Sequence, residues 1–200
     1  MPHLAGIVLA AGRSSRMGRT KALLPDRAGV PFVARAVTTL VEAGASPVLV
    51  VVRPDTEAAI ARAVAELLSD AAVSVVVNAE PDRGQLSSLL TGLARIGDAR
   101  GVLVTLVDVP FVSVETVRSV IAAWRPGETP IVRPARGTEH GHPVLFDQQT
   151  FAALCAAPLD TGAKPVVRGY ADAIVNVPVT DAGAFLDLDT PAEYAGAVAP

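Results

Sequence analysis

The chain has 200 residues, of which 50% are hydrophobic, and its formal net charge is −3 at pH 7. This length suits one domain with a substantial buried core. The small negative charge predicts no nucleic-acid or membrane partner, so any phosphate chemistry must use a few clustered cations. Cys155 is the single cysteine, which excludes an internal disulfide and argues against a cysteine zinc site. We expect it to be buried on a helix.

Short apolar runs, most of them rich in β-branched residues, recur along the first half of the chain. They predict buried strands at residues 5–11, 47–52, 73–78 and 101–107. Segments with helical periodicity lie between and after them, at residues 32–43, 56–68, 87–96 and 114–124. This alternation predicts right-handed crossovers and a mainly parallel sheet with helices on both faces.

The second half is less regular. Strands are predicted at residues 130–134, 143–146 and 173–179, and a helix at 147–156. A final helix follows Thr190, since Thr190, Pro191 and Glu193 form a capping box with proline at the first helical position. No linker separates these elements, so we predict one α/β domain over residues 1–200. The first apolar run lacks a basic leader, and no window approaches the ~20 apolar residues of a membrane span, which predicts a cytoplasmic protein.

The loop after the first strand is the most informative segment. Ligands of open parallel sheets bind beyond the carboxyl ends of the strands. Here small residues end the strand, Gly12 permits a turn, and Arg13, Arg16, Arg19 and Lys21 offer cations to a polyphosphate. The segment matches neither a P-loop nor a full dinucleotide-binding motif. The alternative is a solvated basic loop.

Carboxylates that could bind a metal occur at two later places in the chain. Asp108 ends a buried strand, where its oxygens suit Mg²⁺ bound to a triphosphate, although a turn or cap residue before Pro110 is the alternative. Asp187 and Asp189 fall on one face if their segment is extended, or they belong to an Asx turn.

A polar segment at residues 82–89 follows the third predicted strand. Gln85 carries both a donor and an acceptor, which suits a base edge. Ser87 and Ser88, taken alone, are better explained as helix N-caps.

Taken in order, these motifs resemble the MobA-like NTP transferases, and most closely the molybdenum cofactor cytidylyltransferase branch. The resemblance covers nearly the whole chain. It is carried by LAAGRSSRMGRTKALLP, Gly84-Gln85-x-Ser87-Ser88-Leu89, Asp108, Gly141-His142-Pro143-Val144-Leu145-Phe146, Asp160-x-Gly162-Ala163-Lys164 and Asp187-Leu188-Asp189-Thr190-Pro191.

The resemblance implies a Rossmann-like three-layer α/β/α fold with a mainly parallel, mixed sheet, and it implies the site residues as well. Arg13, Lys21 and Asp108 would be catalytic, and Asp108 with Asp187 or Asp189 would hold Mg²⁺. The nucleotide would be bound by Leu9, Ala10, Ala11, Gly12, Arg13, Lys21, Gln85, Ser87 and Ser88. The acceptor would be bound by His142, Asp160 and Lys164.

The family reaction is attack of an acceptor phosphate on the α-phosphorus of a nucleoside triphosphate, with release of pyrophosphate. It requires no covalent protein intermediate and no general base, since the acceptor phosphate is already ionised. For this branch the acceptor would be molybdopterin or its molybdenum form, and a molybdoenzyme or its maturation factor would be a partner. Ala10-Ala11-Gly12 favours CTP, because the guanylyltransferase branch tends to have Leu-Ala-Gly-Gly.

Two departures from the family pattern concern the acceptor. Val109 follows Asp108 where the branch usually has Gln, and Lys164 stands where Arg is common, which changes the geometry of a phosphate contact. A sugar phosphate or an isoprenoid-precursor phosphate is therefore an alternative acceptor. A non-catalytic cofactor-binding chaperone is the alternative outside enzymes.

Overall fold

The computed structural model describes residues 3–70 and 73–198. Within these ranges eight strands form one sheet, in the order β3-β2-β1-β4-β7-β5-β6, with β8 beside β5. The strands are β1 (Leu4–Leu9), β2 (Val48–Val52), β3 (Val73–Val77), β4 (Gly101–Leu106), β5 (Ile131–Arg136), β6 (Glu139–His140), β7 (Val144–Asp147) and β8 (Ile174–Pro178). The helices are α1 (Phe32–Glu42), α2 (Glu57–Ala63), α3 (Ala65–Asp70), α4 (Gln85–Leu93), α5 (Val114–Ala123), α6 (Phe151–Ala156), α7 (Lys164–Gly169) and α8 (Pro191–Val198).

The sheet reverses its winding direction between β1 and β4. Strands β3, β2, β1 and β4 are parallel to one another, whereas β7 is antiparallel to both β4 and β5. The chain moves outward from β1 to β3 and then returns to the other side of β1 as β4. Loops leaving β1 and β4 therefore diverge and leave a crevice at the carboxyl ends of these strands. The predicted mainly parallel, mixed α/β sheet is confirmed.

Apolar side chains cover both faces of the sheet, which explains the continuous hydrophobic runs. Along β1, Leu4 and Val8 pack with α1 and α5 on one face. Ile7 and Leu9 pack with α4 and α6 on the other face. At Gly92 an added Cβ would lie 2.7 Å from Ile7, so α4 approaches β1 closely.

Several element boundaries differ from the predictions. The helix predicted at 56–68 is divided into α2 and α3 at Val64, whose side chain is buried in the core. Helix α4 begins at Gln85, so Gly84 occupies the N-cap and the N-cap interpretation of Ser87 and Ser88 is wrong. Strand β6 and helix α7 were not predicted. Cys155 is exposed on α6, since it lies on the solvent face of that helix.

No helix within residues 3–70 and 73–198 is long and apolar enough to cross a membrane.

The predicted capping box at the last helix is present: the Glu193 carboxylate accepts from the Thr190 N–H at 2.8 Å, and the Glu193 N–H donates to the Thr190 hydroxyl at 3.3 Å.

Asp181 ties the chain before α8 to the start of α5. Its carboxylate accepts hydrogen bonds from the Ser113 N–H at 2.9 Å, the Thr116 hydroxyl at 2.8 Å and the Gly183 N–H at 2.9 Å. Burial alone would raise the pKa of Asp181, but these hydrogen bonds outweigh burial and lower that pKa below its usual value.

We expect Asp181→Asn to lower the free energy of unfolding by about 1 to 2 kcal/mol at pH 7, because an amide is a weaker acceptor than the carboxylate. A lowered native-state pKa contributes stability above the unfolded-state pKa, and this stability is lost as the pH falls through the native-state value. The difference from wild type should therefore shrink below about pH 4. Urea unfolding at pH 7 and pH 3 measures it. Asp172→Asn, in an exposed turn, is the control, and an equal loss at both pH values would contradict the assignment.

Candidate active site

A pocket of about 380 Å³ opens at the carboxyl ends of β1 and β4. Its position matches the crevice expected where the sheet reverses direction. Most of the residues predicted to bind a nucleotide line it, namely Leu9, Ala10, Ala11, Gly12, Arg13, Lys21, Gln85 and Ser88, and so does Asp108, which was predicted to be catalytic and to bind metal. Ser87 does not line this pocket.

The loop after β1 folds back on itself and turns Lys21 inward. Ser14 has φ +49, in the left-handed region, and its hydroxyl accepts from the Lys21 N–H at 3.0 Å. The Met17 N–H donates to the Ser14 carbonyl at 3.0 Å, and the Met17 side chain is buried. The core thus anchors the middle of a loop that the sequence presented as polar and basic.

Lys21 lies between two carboxylates, and only 11% of its side chain is exposed. Its Nζ is 2.5 Å from Asp189 Oδ1 and 3.4 Å from Asp108 Oδ2. Arg16 donates to the other oxygen of Asp189 at 2.7 Å. The hydrogen bond from Lys21, helped by Arg16, holds the pKa of Asp189 below its usual value. Two of the four cations of the first loop, Lys21 and Arg16, therefore hold the segment that carries Asp187 and Asp189.

Asp108 and Asp187 form a pair of carboxylates whose negative charge is only partly neutralised by the surrounding protein. Asp108 Oδ1 is buried and has no hydrogen-bond partner among the described residues. Burial and the charge of Asp108 raise the pKa of Asp187. The Leu188 N–H donates to the Asp108 carbonyl at 2.9 Å and so joins the two segments. An unpaired buried carboxylate oxygen beside a second carboxylate suits a divalent cation, whose preferred ligands are hard oxygens.

The three carboxylates predicted to bind metal have different surroundings. In the part of the chain that the structure describes, no group of three His, Cys, Asp or Glu side chains could hold a metal by itself. Asp189 is held by Lys21 and Arg16, which leaves Asp108 and Asp187 as the pair available to a cation. Two protein carboxylates suit Mg²⁺ bound mainly by phosphate oxygens and water.

Arg13 lies across the mouth of the first pocket and forms an ion pair with Asp82. Its Nε and a terminal nitrogen lie 2.7 and 2.6 Å from the two Asp82 oxygens. Arg53, which follows β2, also reaches Asp82 at 3.0 Å and lines the pocket. Hydrogen bonds from Arg13 and Arg53 hold the pKa of Asp82 far below its usual value. Sequence analysis missed Arg53, although its place at a strand end could have indicated it.

The two serines of the polar segment hold a buried amide. Asn78 donates from Nδ2 to the Ser87 hydroxyl at 2.9 Å and to the Ser88 hydroxyl at 3.0 Å. The Ser87 hydroxyl also reaches the Glu80 carbonyl at 3.1 Å. These bonds fix the start of α4 and set Gln85, its first residue, at the wall of the pocket.

A second pocket of about 1020 Å³ adjoins the first and shares with it Leu9, Asp82, Gly84, Gln85 and Leu106. The three residues predicted to bind an acceptor, His142, Asp160 and Lys164, all line it. Arg133, His140 and Arg168 also line it and were missed by sequence analysis.

His142 stands between the second pocket and the carboxylate pair. Its Nδ1 is 3.5 Å from the Val104 carbonyl, and burial lowers its pKa despite the nearby charges of Asp187 and Asp108. The ring is therefore suited to a neutral contact with a substrate. Gly141 brings this segment against the chain before Asp187, since a Cβ there would overlap the Ala184 carbonyl.

Comparison with known proteins shows the family to which this chain belongs. The sequence model of the MobA-like NTP transferase domain family matches residues 6–174 of this chain. The chain belongs to the MobA-like NTP transferase family. Asp187 and Asp189 lie beyond the matched range. As a family member, the chain is a nucleotidyltransferase.

Two relatives illustrate the range of this MobA-like family. The chain is 32% identical over 197 residues to nicotine blue oxidoreductase of Paenarthrobacter nicotinovorans, covering 95% of this chain and 94% of that protein. It is 38% identical over 136 residues to a probable molybdenum cofactor guanylyltransferase of Opitutus terrae. That alignment covers 68% of this chain and 63% of the relative.

Solved structures of similar proteins match this chain over 98% of its length or more. The crystal structure of Rv0371c from Mycobacterium tuberculosis has a TM-score of 0.82 at 30% identity and covers 100% of this chain and 98% of that one. A manganese complex of the same protein matches with a TM-score of 0.79 at 28% identity, covering 100% and 99% of the two chains. A nucleotidyl transferase from Methanothermobacter thermautotroptrophicus shares the fold, with a TM-score of 0.82 at 22% identity and coverage of 98% and 95%.

Proposed function

We propose that this nucleotidyltransferase moves the NMP part of a nucleoside triphosphate, CTP in preference to GTP, onto the phosphate of molybdopterin or its molybdenum form. The observation that carries the proposal is the pair Asp108 and Asp187, of which Asp108 lines a nucleotide-sized pocket that adjoins a larger second pocket. The probable guanylyltransferase among the relatives supports a molybdenum cofactor acceptor.

Transfer forms a bond between an oxygen of the acceptor phosphate and the α-phosphorus. The bond from the α-phosphorus to the bridging oxygen breaks, and pyrophosphate leaves with that electron pair. Bound Mg²⁺ would neutralise charge on the triphosphate and on the leaving pyrophosphate. The manganese complex of a relative supports use of a divalent cation.

The chain's own residues position two anions and balance their charge. Asp108 and Asp187 would hold the cation through the unpaired Asp108 oxygen. Lys21, nearly buried beside them, would face the α-phosphate and stabilise charge that develops in transfer. Arg13 would leave Asp82 for the outer phosphates, while Arg53 remains to neutralise Asp82. The acceptor phosphate is ionised at neutral pH, so none of these residues acts as a general base.

The donor base would be read at the start of α4. Gln85 offers a donor and an acceptor beside the backbone of Ala10, Ala11 and Gly12. Ala11 lines the pocket, and its Cβ, which a glycine lacks, would narrow the space for the base and favour the smaller pyrimidine ring. The guanylyltransferase name of the relative makes GTP the competing donor.

A redox activity is the second candidate, because the relative aligned along nearly the whole chain is named nicotine blue oxidoreductase. Hydride transfer to a dye has no need of a carboxylate pair with an unsatisfied oxygen, whereas phosphoryl chemistry has. The geometry therefore favours nucleotidyl transfer.

The decisive assay measures pyrophosphate release from purified protein with Mg²⁺, molybdopterin and each of CTP, GTP, UTP and ATP. We expect release with CTP that requires the pterin, with GTP at least tenfold slower. Faster release with GTP would overturn the base assignment alone. Release without pterin dependence, together with turnover of a sugar phosphate or methylerythritol phosphate, would overturn the acceptor.

Parallel assays separate the remaining alternatives. Oxidation of a reduced nicotinamide cofactor by nicotine blue, without pyrophosphate release from any triphosphate, would favour the redox candidate. Tight pterin binding with neither activity would favour a cofactor-binding chaperone.

A further inference from the structure

Arg35, in the first turn of α1, joins two loops of the candidate active site. Its Nε donates to the Pro110 carbonyl at 3.0 Å, and a terminal nitrogen donates to the Asp26 carboxylate at 2.8 Å. Pro110 is two residues beyond Asp108. Asp26 is five residues beyond Lys21. One guanidinium therefore connects the segment that carries the aspartate with the segment that carries the lysine.

The Asp26 end of this connection is firmly held. Asp26 is buried, and one of its carboxylate oxygens accepts from the Ala28 N–H at 2.8 Å and from the Val30 N–H at 3.0 Å. The other oxygen accepts from Arg35. Burial alone would raise the pKa of Asp26, but the backbone hydrogen bonds and Arg35 outweigh burial and lower that pKa. Asp26 is therefore a charged and oriented partner for the guanidinium.

The Pro110 end is held by packing as well as by the hydrogen bond. The guanidinium carbon of Arg35 lies 5.3 Å from the centroid of the Phe111 ring. That ring meets the buried Phe32 edge to face, with centroids 5.7 Å apart. On its other side the chain is tightly packed, since a Cβ at Gly183 would overlap the Phe111 carbonyl. A planar group that stacks and donates from Nε at once is a property of arginine and not of lysine.

The same cluster reaches the third segment of the site, at the start of α8. The Tyr194 hydroxyl donates to the Pro25 carbonyl at 2.9 Å. Its ring meets Phe32 edge to face, with centroids 5.9 Å apart. Arg35 and the rings of Phe32, Phe111 and Tyr194 therefore join the loops after β1 and β4 to the helix that follows the last two aspartates.

The Asp108 carboxylate depends on this backbone for its position. Its buried Oδ1 has no hydrogen-bond partner among the described residues, and its Oδ2 lies 3.4 Å from Lys21 Nζ. Side-chain contacts therefore fix the carboxylate only weakly. Mg²⁺ demands near-ideal octahedral geometry, so a displaced carboxylate binds it less well. The contacts that hold the chain just beyond Asp108 consequently control how well the pair with Asp187 receives a cation.

We propose that Arg35 is a positioning residue of this nucleotidyltransferase. By joining the loop after β4 to the loop after β1, it fixes the Asp108 carboxylate beside Lys21 and so sets the affinity for a divalent cation. Arg35 lines neither of the two pockets, so it acts through Asp108 and not through a substrate. The inference rests on the proposed function, because that function assigns the cation to Asp108.

A matched pair of arginine variants tests this role. Arg118, exposed on α5, also donates to a backbone carbonyl, that of Glu42 at 2.9 Å, but at the opposite end of α1. Arg35→Met and Arg118→Met each remove one guanidinium and one such hydrogen bond, so both should lower the urea midpoint. Only Arg35→Met should weaken Mn²⁺ binding to the folded, nucleotide-free protein, by about tenfold, as loss of a group that orients a metal ligand does. Electron paramagnetic resonance measures this affinity.

Hydrogen exchange gives a second readout that needs no metal. The Leu188 N–H donates to the Asp108 carbonyl at 2.9 Å, so its exchange rate reports on the loop after β4. In Arg35→Met this amide should exchange about fivefold faster than in wild type, relative to the amides of β2, because the loop opens locally. In Arg118→Met the ratio of the Leu188 rate to the β2 rates should stay at the wild-type value.

Two results would overturn the inference. One is equal Mn²⁺ affinity in the Arg35 and Arg118 variants, and the other is exchange at Leu188 that changes only as much as exchange in β2. Failure of the proposed function has a different signature: Asp108→Asn would then bind Mn²⁺ as tightly as wild type. In that case the exchange rates alone decide whether Arg35 holds the loop.

Discussion

Asp108→Asn should lower kcat/KM for pyrophosphate release about 10³-fold, comparable to loss of a charge-stabilising group at a transition state. The change removes one charge while keeping the shape of a side chain whose Oδ1 is buried and unpaired. In the metal-free protein it also relieves repulsion with Asp187, so the variant should be at least as resistant to heat as wild type. Steady-state kinetics and thermal melting, each with and without Mg²⁺, measure both effects.

The metal dependence of stability separates this role from a structural one. Mg²⁺ should raise the melting temperature of wild type and of Asp172→Asn, but not of Asp108→Asn, because a cation stabilises only the folded state that binds it. Mn²⁺ binding followed by electron paramagnetic resonance gives a direct readout. If Asp108→Asn binds Mn²⁺ as tightly as wild type, Asp108 does not hold the metal.

Lys21→Met should lower kcat/KM about 10² to 10³-fold, because it removes the nearly buried cation closest to the carboxylate pair. The same change leaves Asp108 without its lysine partner and Asp189 with Arg16 alone. The metal-free variant should therefore be less stable than wild type, and a divalent cation should recover part of the loss. This response is opposite to that expected for Asp108→Asn.

Arg62→Met serves as the matched control, since it removes one exposed positive charge of α2 far from the pocket. Urea unfolding of Lys21→Met with and without Mg²⁺, beside CTP binding, measures the prediction. A purely structural lysine would lower stability equally with and without metal, with kcat unchanged in the folded fraction. That result would remove Lys21 from the catalytic group.

The sequence predicted the fold well wherever the residues of a single strand or helix are enough to identify it. Continuous apolar runs identified β1 to β4 because both faces of these strands are covered, and Thr190 with Glu193 identified the start of α8. Cys155 was placed wrongly because residue type does not reveal which face of a short helix meets the core. Helical periodicity also did not reveal the division at Val64, where the side chain is buried in the core.

The sequence predicted that the site residues lie at the ends of strands. It did not predict which of their side chains form ion pairs with one another. The resemblance left Asp187 and Asp189 as alternatives beside Asp108 for the metal, whereas in the structure Asp189 is held by Lys21 and Arg16. Those contacts depend on how the first loop folds around the buried Met17, which composition does not reveal. Arg53 and Arg133 were missed because their partners, Asp82 and Asn176, lie in distant segments of the chain.

The contacts of Asp189 also bear on how the chain folds. Its partners Lys21 and Arg16 are 168 and 173 residues away in sequence. Ordering so long a loop has an entropic cost that only the intervening sheet and helices offset, so these contacts have high contact order. We therefore expect the carboxylates and the lysine to meet after the sheet has assembled. Under the proposed function, metal and nucleotide would then stabilise the completed fold selectively over partly folded species, which lack the site.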